Sequence, residues 1–212
     1  MTPCIIPLEE VRAELMVVNS LFIASLAPVF SVEEAKEFIQ RVRQEFKDAS
    51  HNVPVYLVGC GNNVTAHCSD DGEPAGTAGR PALAVLQGSG LGCAALVVTR
   101  YFGGTKLGTG GLVRAYGDAV REVLGHVQRG QKIPVVTVML GLPYSYFDQV
   151  RILVTAHKGE IIDQDFGVEV TLTMRFPDFV LDGFQAALRN LTNGQLAAEL
   201  IERSEKIVPI AA

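Results

Sequence analysis

Asp70-Asp71-Gly72-Glu73-Pro74-Ala75-Gly76-Thr77-Ala78-Gly79-Arg80-Pro81 and Arg100-Tyr101-Phe102-Gly103-Gly104-Thr105-Lys106-Leu107-Gly108-Thr109-Gly110-Gly111-Leu112-Val113-Arg114-Ala115-Tyr116 are the two segments on which the fold turns. Each is a glycine-dense loop running into helical spacing. The first leads into a helix over 76–87 that carries Pro81 in its first turn. The second leads into a helix over 110–128 with Leu112, Val113, Tyr116, Val120, Val123 and Leu124 on its apolar face. Between them, residues 91–101 read as a buried strand with almost no polar interruption. Glycine loops ahead of helix starts let backbone N–H groups approach a ligand closely.

Working outward, 11–27 reads as two strands turning near Asn19-Ser20. Ser31 with Glu34 forms a capping box for a helix over 31–48, in which Phe38, Ile39, Val42 and Phe46 recur at helical spacing. A hairpin follows, 53–60 and 64–68 around Gly61-Asn62-Asn63, and Pro54 places the start of its first strand at an edge. Arg129-Gly130-Gln131-Lys132 reads as a linker. Beyond it come a strand (133–140), a helix (144–157), a hairpin (160–165 and 168–175), a helix (177–192) and a final strand within 196–206. That is the ferredoxin-like order. The reading is α+β with two domains, 1–130 and 131–212.

The chain has 212 residues, enough to bury a sizeable core in each half, and a net charge of −5. Neither side of Gly130 is basic, so a nucleic-acid role requires a local patch. Cys4, Cys60, Cys68 and Cys93 read as reduced thiols, not a disulfide framework. His67-Cys68 with Cys60 lacks the paired spacing of a zinc site. No apolar run reaches membrane-spanning length and no leader pattern opens the chain, so a cytoplasmic location without a membrane partner is expected.

Two chemistries compete for the glycine-dense segments. Asp70, Asp71 and Glu73 would coordinate Mg²⁺ or supply a general acid or base. They would equally serve as solvated caps for the helix after Gly76. The second loop fails the Walker A pattern, since Thr105 precedes Lys106 and Leu107 follows it, and it fails the dinucleotide fingerprint at Val113. What remains is a glycine loop, a helix start and the cations Arg100, Lys106 and Arg114. Open N–H groups and a helix dipole favour an anion there, while the same glycines would also serve as packing devices. Tyr101, Phe102 and Tyr116 read either as a stacking platform or as core. No nucleophilic triad is visible, and His51, His67, His126 and His157 are scattered.

Together the two quoted segments resemble the signature of the Impact/YigZ family, and the resemblance extends over the whole chain. It implies a first domain of the left-handed βαβ type found in a small-subunit ribosomal protein and in domain four of elongation factor G. It implies a second domain similar to domain five of that factor. Eukaryotic relatives act in translational control under amino-acid stress by binding a regulator of an initiation-factor kinase. Where the family has Lys-Ser-Arg-Phe, this chain has Asn19-Ser20-Leu21-Phe22, so two cations are missing. His51-Asn52 matches a family pair, but Val53 and Pro54 replace a cysteine and an aromatic.

The resulting expectation is a non-enzymatic, translation-linked module that binds the ribosome, structured RNA or a translation-associated protein, with no cofactor. Its anion-binding residues would be Gly76, Thr77, Gly79, Arg80, Arg100, Tyr101, Gly103, Gly104, Lys106, Gly108, Thr109, Gly110, Gly111 and Arg114. The acidic turn of Asp70, Asp71 and Glu73 would contact a partner. The alternative is a Mg²⁺-dependent phosphotransfer or hydrolytic enzyme, with that turn holding the ion and the glycine loop the phosphate.

Overall fold

The buried strand after Leu91 is the middle of a five-stranded antiparallel sheet. A computed structural model describes residues 4–61 and 63–210. In chain order its elements are β1 (Cys4–Pro7), β2 (Val11–Val17), β3 (Ser20–Pro28), α1 (Val32–Glu45), β4 (His51–Cys60), β5 (Asn63–Cys68), α2 (Gly79–Gly88), β6 (Ala94–Tyr101) and α3 (Gly108–His126). There follow β7 (Arg129–Leu142), α4 (Phe147–Ala156), β8 (Glu160–Phe166), β9 (Val170–Pro177), α5 (Leu181–Leu191) and β10 (Glu199–Pro209). The chain divides into two compact units between Gln131 and Lys132, and the segment from Val208 onward belongs to the first.

In the first unit the sheet order is β2-β3-β6-β4-β5. Both β3 and β4 run antiparallel to β6, so α1 joins two parallel strands across an intervening one, a split βαβ unit. Strand alternation sends Phe22, Leu26, Val53, Val55, Leu96 and Val98 into one core with Ala82 and Leu86 of α2 and Leu112, Tyr116 and Val120 of α3. Tyr56, Ala95 and Val97 pack on the other face with Phe38, Ile39 and Val42 of α1. Covered on both faces, β6 has no need of a polar side, which explains its unbroken apolar run. Pro54 sits where expected, because β5 pairs with β4 only from Val55 onward.

The capping box of α1 forms with a shift of one residue. Ser31 Oγ accepts from Glu34 N at 3.0 Å, and the Glu34 carboxylate takes the N–H of Phe30 at 2.7 Å. In the second unit β10, β7, β9 and β8 lie in that order, the ferredoxin-like arrangement, with β7–β9 and β9–β8 antiparallel. Val138, Leu140, Leu172, Met174 and Phe176 of this sheet pack against Val150, Val154, Phe184 and Leu188 of the helices. No helix among the described residues is long and apolar enough to cross a membrane.

Four expectations need correction. Arg129-Gly130-Gln131-Lys132 is not a linker but the start of β7; its polar composition is misleading because its backbone is paired, with the Arg129 carbonyl accepting from Ile210 N at 2.9 Å. The helix expected from Gly76 begins at Gly79, because Gly76 has φ +76° and closes a loop instead. The helix expected from Gly110 begins two residues earlier, at Gly108. Cys4 and Cys60 form a disulfide, leaving Cys68 and Cys93 as thiols. Their separation of 56 residues is closed by sheet topology rather than by local spacing. Asn62 of the expected hairpin turn lies outside the described residues.

Candidate functional site

The three carboxylates of the acidic turn diverge. Asp70 turns toward the start of α2, where its two oxygens accept from Gly76 N (2.7 Å), Gly79 N (2.8 Å) and Ala78 N (3.1 Å). Burial alone would raise its pKa; the three N–H bonds and the charge of Arg80 outweigh that and hold it below the usual carboxylate value. Asp71, at φ +48°, pairs with Arg43 at 2.5 Å and accepts from Asn52 N at 2.7 Å. Thr77 spends its hydroxyl on the Pro74 carbonyl at 2.7 Å. The first glycine segment is therefore a self-capped loop, in which Asp70 takes the N–H of Gly79 at the start of α2.

Glu73 goes inward. Its side chain is 3% exposed, and Oε1 accepts from Arg100 Nη1 at 2.6 Å and from the Tyr116 hydroxyl at 2.8 Å. Arg100 is 5% exposed, so it reaches the cleft as a buried, already paired cation: the last residues of β6 still lie beneath the loop. Its guanidinium carbon lies 5.5 Å from the Phe22 ring centre and 5.4 Å from that of Phe102. Ser20 Oγ accepts from Nη2 at 3.4 Å, while Nε is buried without a partner among the described residues. Tyr116 is core, with no face free for stacking. Burial, reinforced by the negative charge and bond of Glu73, pushes its hydroxyl far above its ordinary pKa, so it stays protonated and donates to Glu73.

His51 completes the inner group. Its Nδ1 meets the Asp71 carbonyl at 2.7 Å; a carbonyl can only accept, so Nδ1 carries the proton. Nε2 then faces Glu73 Oε2 at 3.9 Å. Asn52 links the next layer, accepting from the Thr99 hydroxyl at 2.7 Å and donating to the Phe46 carbonyl at 3.0 Å.

The second glycine segment closes over this group. Phe102 N donates to Ser50 Oγ (3.1 Å) and Gly103 N to Ser20 Oγ (3.2 Å). A side chain at Gly103 would overlap the Asn19 carbonyl, so glycine is required there for close approach. Leu107 stands at the N-cap of α3 and supplies no capping bond, leaving the first N–H groups of a 19-residue helix open beside exposed Lys106. The two segments thus share one cleft of about 490 Å³, floored by Glu73 and Arg100 and walled by His51, Phe102, Lys106, Gly108 and Thr109. A larger hollow of about 810 Å³ runs along α4 and β8, but its charged residues, Asp148 and Arg151, are exposed.

Of the expected anion-binding residues, Arg100, Lys106, Gly108 and Thr109 line this cleft, and Glu73 joins them from the acidic turn. Arg80 and Arg114 are exposed but do not line it, nor do Gly76, Thr77, Gly79, Gly103, Gly104, Gly110 and Gly111. Tyr101 turns outward, its hydroxyl donating to Asp48 at 2.9 Å. Ser50 and Leu112 line the cleft and Ser20 braces it; in the sequence Leu112 reads only as part of an apolar helix face, Ser20 only as a turn residue within the family motif, and nothing singles out Ser50.

Residues 18–124 match the Impact N-terminal domain, and residues 140–195 match a domain of unknown function, DUF1949. The chain belongs to the Impact family. It is 38% identical to the Impact family member YigZ of Escherichia coli, covering 93% of this chain and 98% of that protein. An Impact family member of Haemophilus influenzae is 34% identical, covering 97% of this chain and all of the relative. A crystal structure described as a hypothetical protein superposes with a TM-score of 0.63 at 38% identity, covering 95% of this chain and 98% of that one. The Impact match spans both segments of the cleft, so the cleft belongs to the family domain. Asn19 lies directly against Gly103 of the cleft loop.

Proposed function

We propose that the cleft at the start of α3 is an anion-recognition site through which this Impact family member engages phosphates of structured RNA, on the ribosome or elsewhere, without catalysing a reaction. The observation that carries this reading is the uncapped N-terminus of α3 beside Lys106, which has no ion-pair partner among the described residues. Arg80 and Arg114, likewise exposed, extend positive charge beyond the cleft. Mg²⁺-dependent phosphotransfer or hydrolysis draws less support, because Asp70, Asp71 and Glu73 each face different partners and do not converge on one ion.

A filter-binding titration against structured RNA at several salt concentrations tests the proposal. Lys106→Ala should weaken binding and reduce the slope of log affinity against log salt by about one. Absence of binding at low salt overturns the reading, as does tight binding indifferent to Lys106→Ala and Arg114→Ala. A translation-associated protein as partner would leave RNA unbound and so count against it. Metal-dependent turnover of a phosphoester would favour the enzymatic reading instead.

A further inference from the structure

Away from the cleft, three cysteines from distant parts of the sequence meet at one end of the first unit. Backbone hydrogen bonds bring them there. Gly92 N donates to the Ile5 carbonyl at 2.8 Å, and Cys93 N donates to the Gly59 carbonyl at 3.3 Å. Each of these bonds lies beside a cysteine, so Cys4, Cys60 and Cys93 converge with their sulfurs all within 4.8 Å of one another. Cys93 holds φ +49°, which turns its side chain back toward β4. Its sulfur lies 3.8 Å from that of Cys60. A Cβ on Gly92 would come within 2.8 Å of Cys60 Sγ, so the absence of a side chain there leaves room for the trio.

We propose that the reduced trio Cys4, Cys60 and Cys93 is a binding site for a soft, thiophilic metal ion, Cu⁺ or Zn²⁺, and that the Cys4–Cys60 disulfide is the form in which this site is closed. Two thiolates at about 2.3 Å from one tetrahedral ion lie about 3.8 Å apart, which is the Cys60–Cys93 spacing. The donor set is all sulfur, with no carboxylate or imidazole in the group, which selects soft ions against Mg²⁺ or Ca²⁺. A separate cleft of about 380 Å³ lined by Cys4, Cys60 and Gly90 to Gly92 provides an entry path and room for a fourth, exogenous ligand. A phosphine opens the site: it takes the oxygen of one water to become the phosphine oxide, and the two sulfurs receive the electron pair and two protons as thiols. On metal binding the sulfurs release their protons and donate lone pairs to the ion.

The test uses the full chain, with Zn²⁺ and Cu⁺ each titrated in competition with a chromophoric chelator. The phosphine-reduced protein should take up one equivalent of at least one of the two ions, and the oxidised protein should not compete for it. Cys93→Ser should weaken binding at least about tenfold, since loss of outer-shell partners alone costs that much. Cys4→Ser, on a half-buried strand, should do the same, and thermal unfolding of both apo variants checks that they fold. Cys68→Ser should bind like the parent, because Cys68 is not in the group. Failure of the reduced parent to compete for either ion overturns the proposal, as does binding that survives in folded Cys93→Ser and Cys4→Ser or is lost equally in Cys68→Ser.

Discussion

Changing Glu73 to Gln is the sharpest test of the cleft floor. The substitution preserves shape and leaves an oxygen that can accept from Tyr116, but it removes the charge opposite Arg100. The Arg100 side chain is 6% exposed and that of Glu73 3%, so the guanidinium cannot recover hydration without moving. Breaking a buried pair by removing one partner costs about 3–5 kcal/mol, and the retained hydrogen bonds place Glu73→Gln near the low end, about 3 kcal/mol. Replacing both partners, as Glu73→Gln with Arg100→Met, removes the stranded charge and should recover most of that loss. The chain has no tryptophan, so far-UV circular dichroism during urea unfolding is the readout. The single variant should lower the midpoint without changing the slope, and the double variant should return toward the parent. If Glu73→Gln lies within about 0.5 kcal/mol of the parent, the pair does not hold the floor together and the reasoning fails.

Two further outcomes follow from the same segments. Asp70→Asn should cost about 1–2 kcal/mol near neutral pH, the usual scale for loss of a helix-capping side chain. Because the folded pKa of Asp70 is depressed, its stabilisation is present above the unfolded pKa and is lost as pH falls through the folded value. The stability of the variant should therefore lack that acid-side decline, as urea midpoints measured across the acid range would reveal. Asn19→Lys adds a cation beside Gly103 and should strengthen RNA binding while steepening its salt dependence by about one; a variant indistinguishable from the parent in filter binding counts against phosphate contact at this loop.

The features legible in the sequence are those whose cause is local. Ser31 and Glu34 announce the start of α1 because a capping bond spans only three residues. The unbroken apolar run of β6 reports burial on two faces, and the order of elements after Gly130 matches the ferredoxin-like sheet. Arg100 shows what escapes. A cation ending an apolar strand reads as an exit to solvent, yet its partner Glu73 lies 27 residues away and one of its two aromatic neighbours, Phe22, comes from another strand. The meeting of Cys4 with Cys60 was hidden for the same reason, since β1 is four residues long and carries too short a pattern to register. At the acidic turn the residue types were clear, but their directions were not. Only the backbone path, with left-handed Asp71 and Gly72, sends Asp70 to a helix end and Glu73 into the core.

The guanidinium held between Phe22 and Phe102 has a spectroscopic consequence. Its Nε proton is shielded from water and lies near two aromatic ring currents, so its resonance should stand apart from those of the exposed arginines and exchange slowly. An anion that displaced Phe102 on entering the cleft would shift that signal. A single side-chain resonance would then report occupancy of the cleft without any label on the ligand.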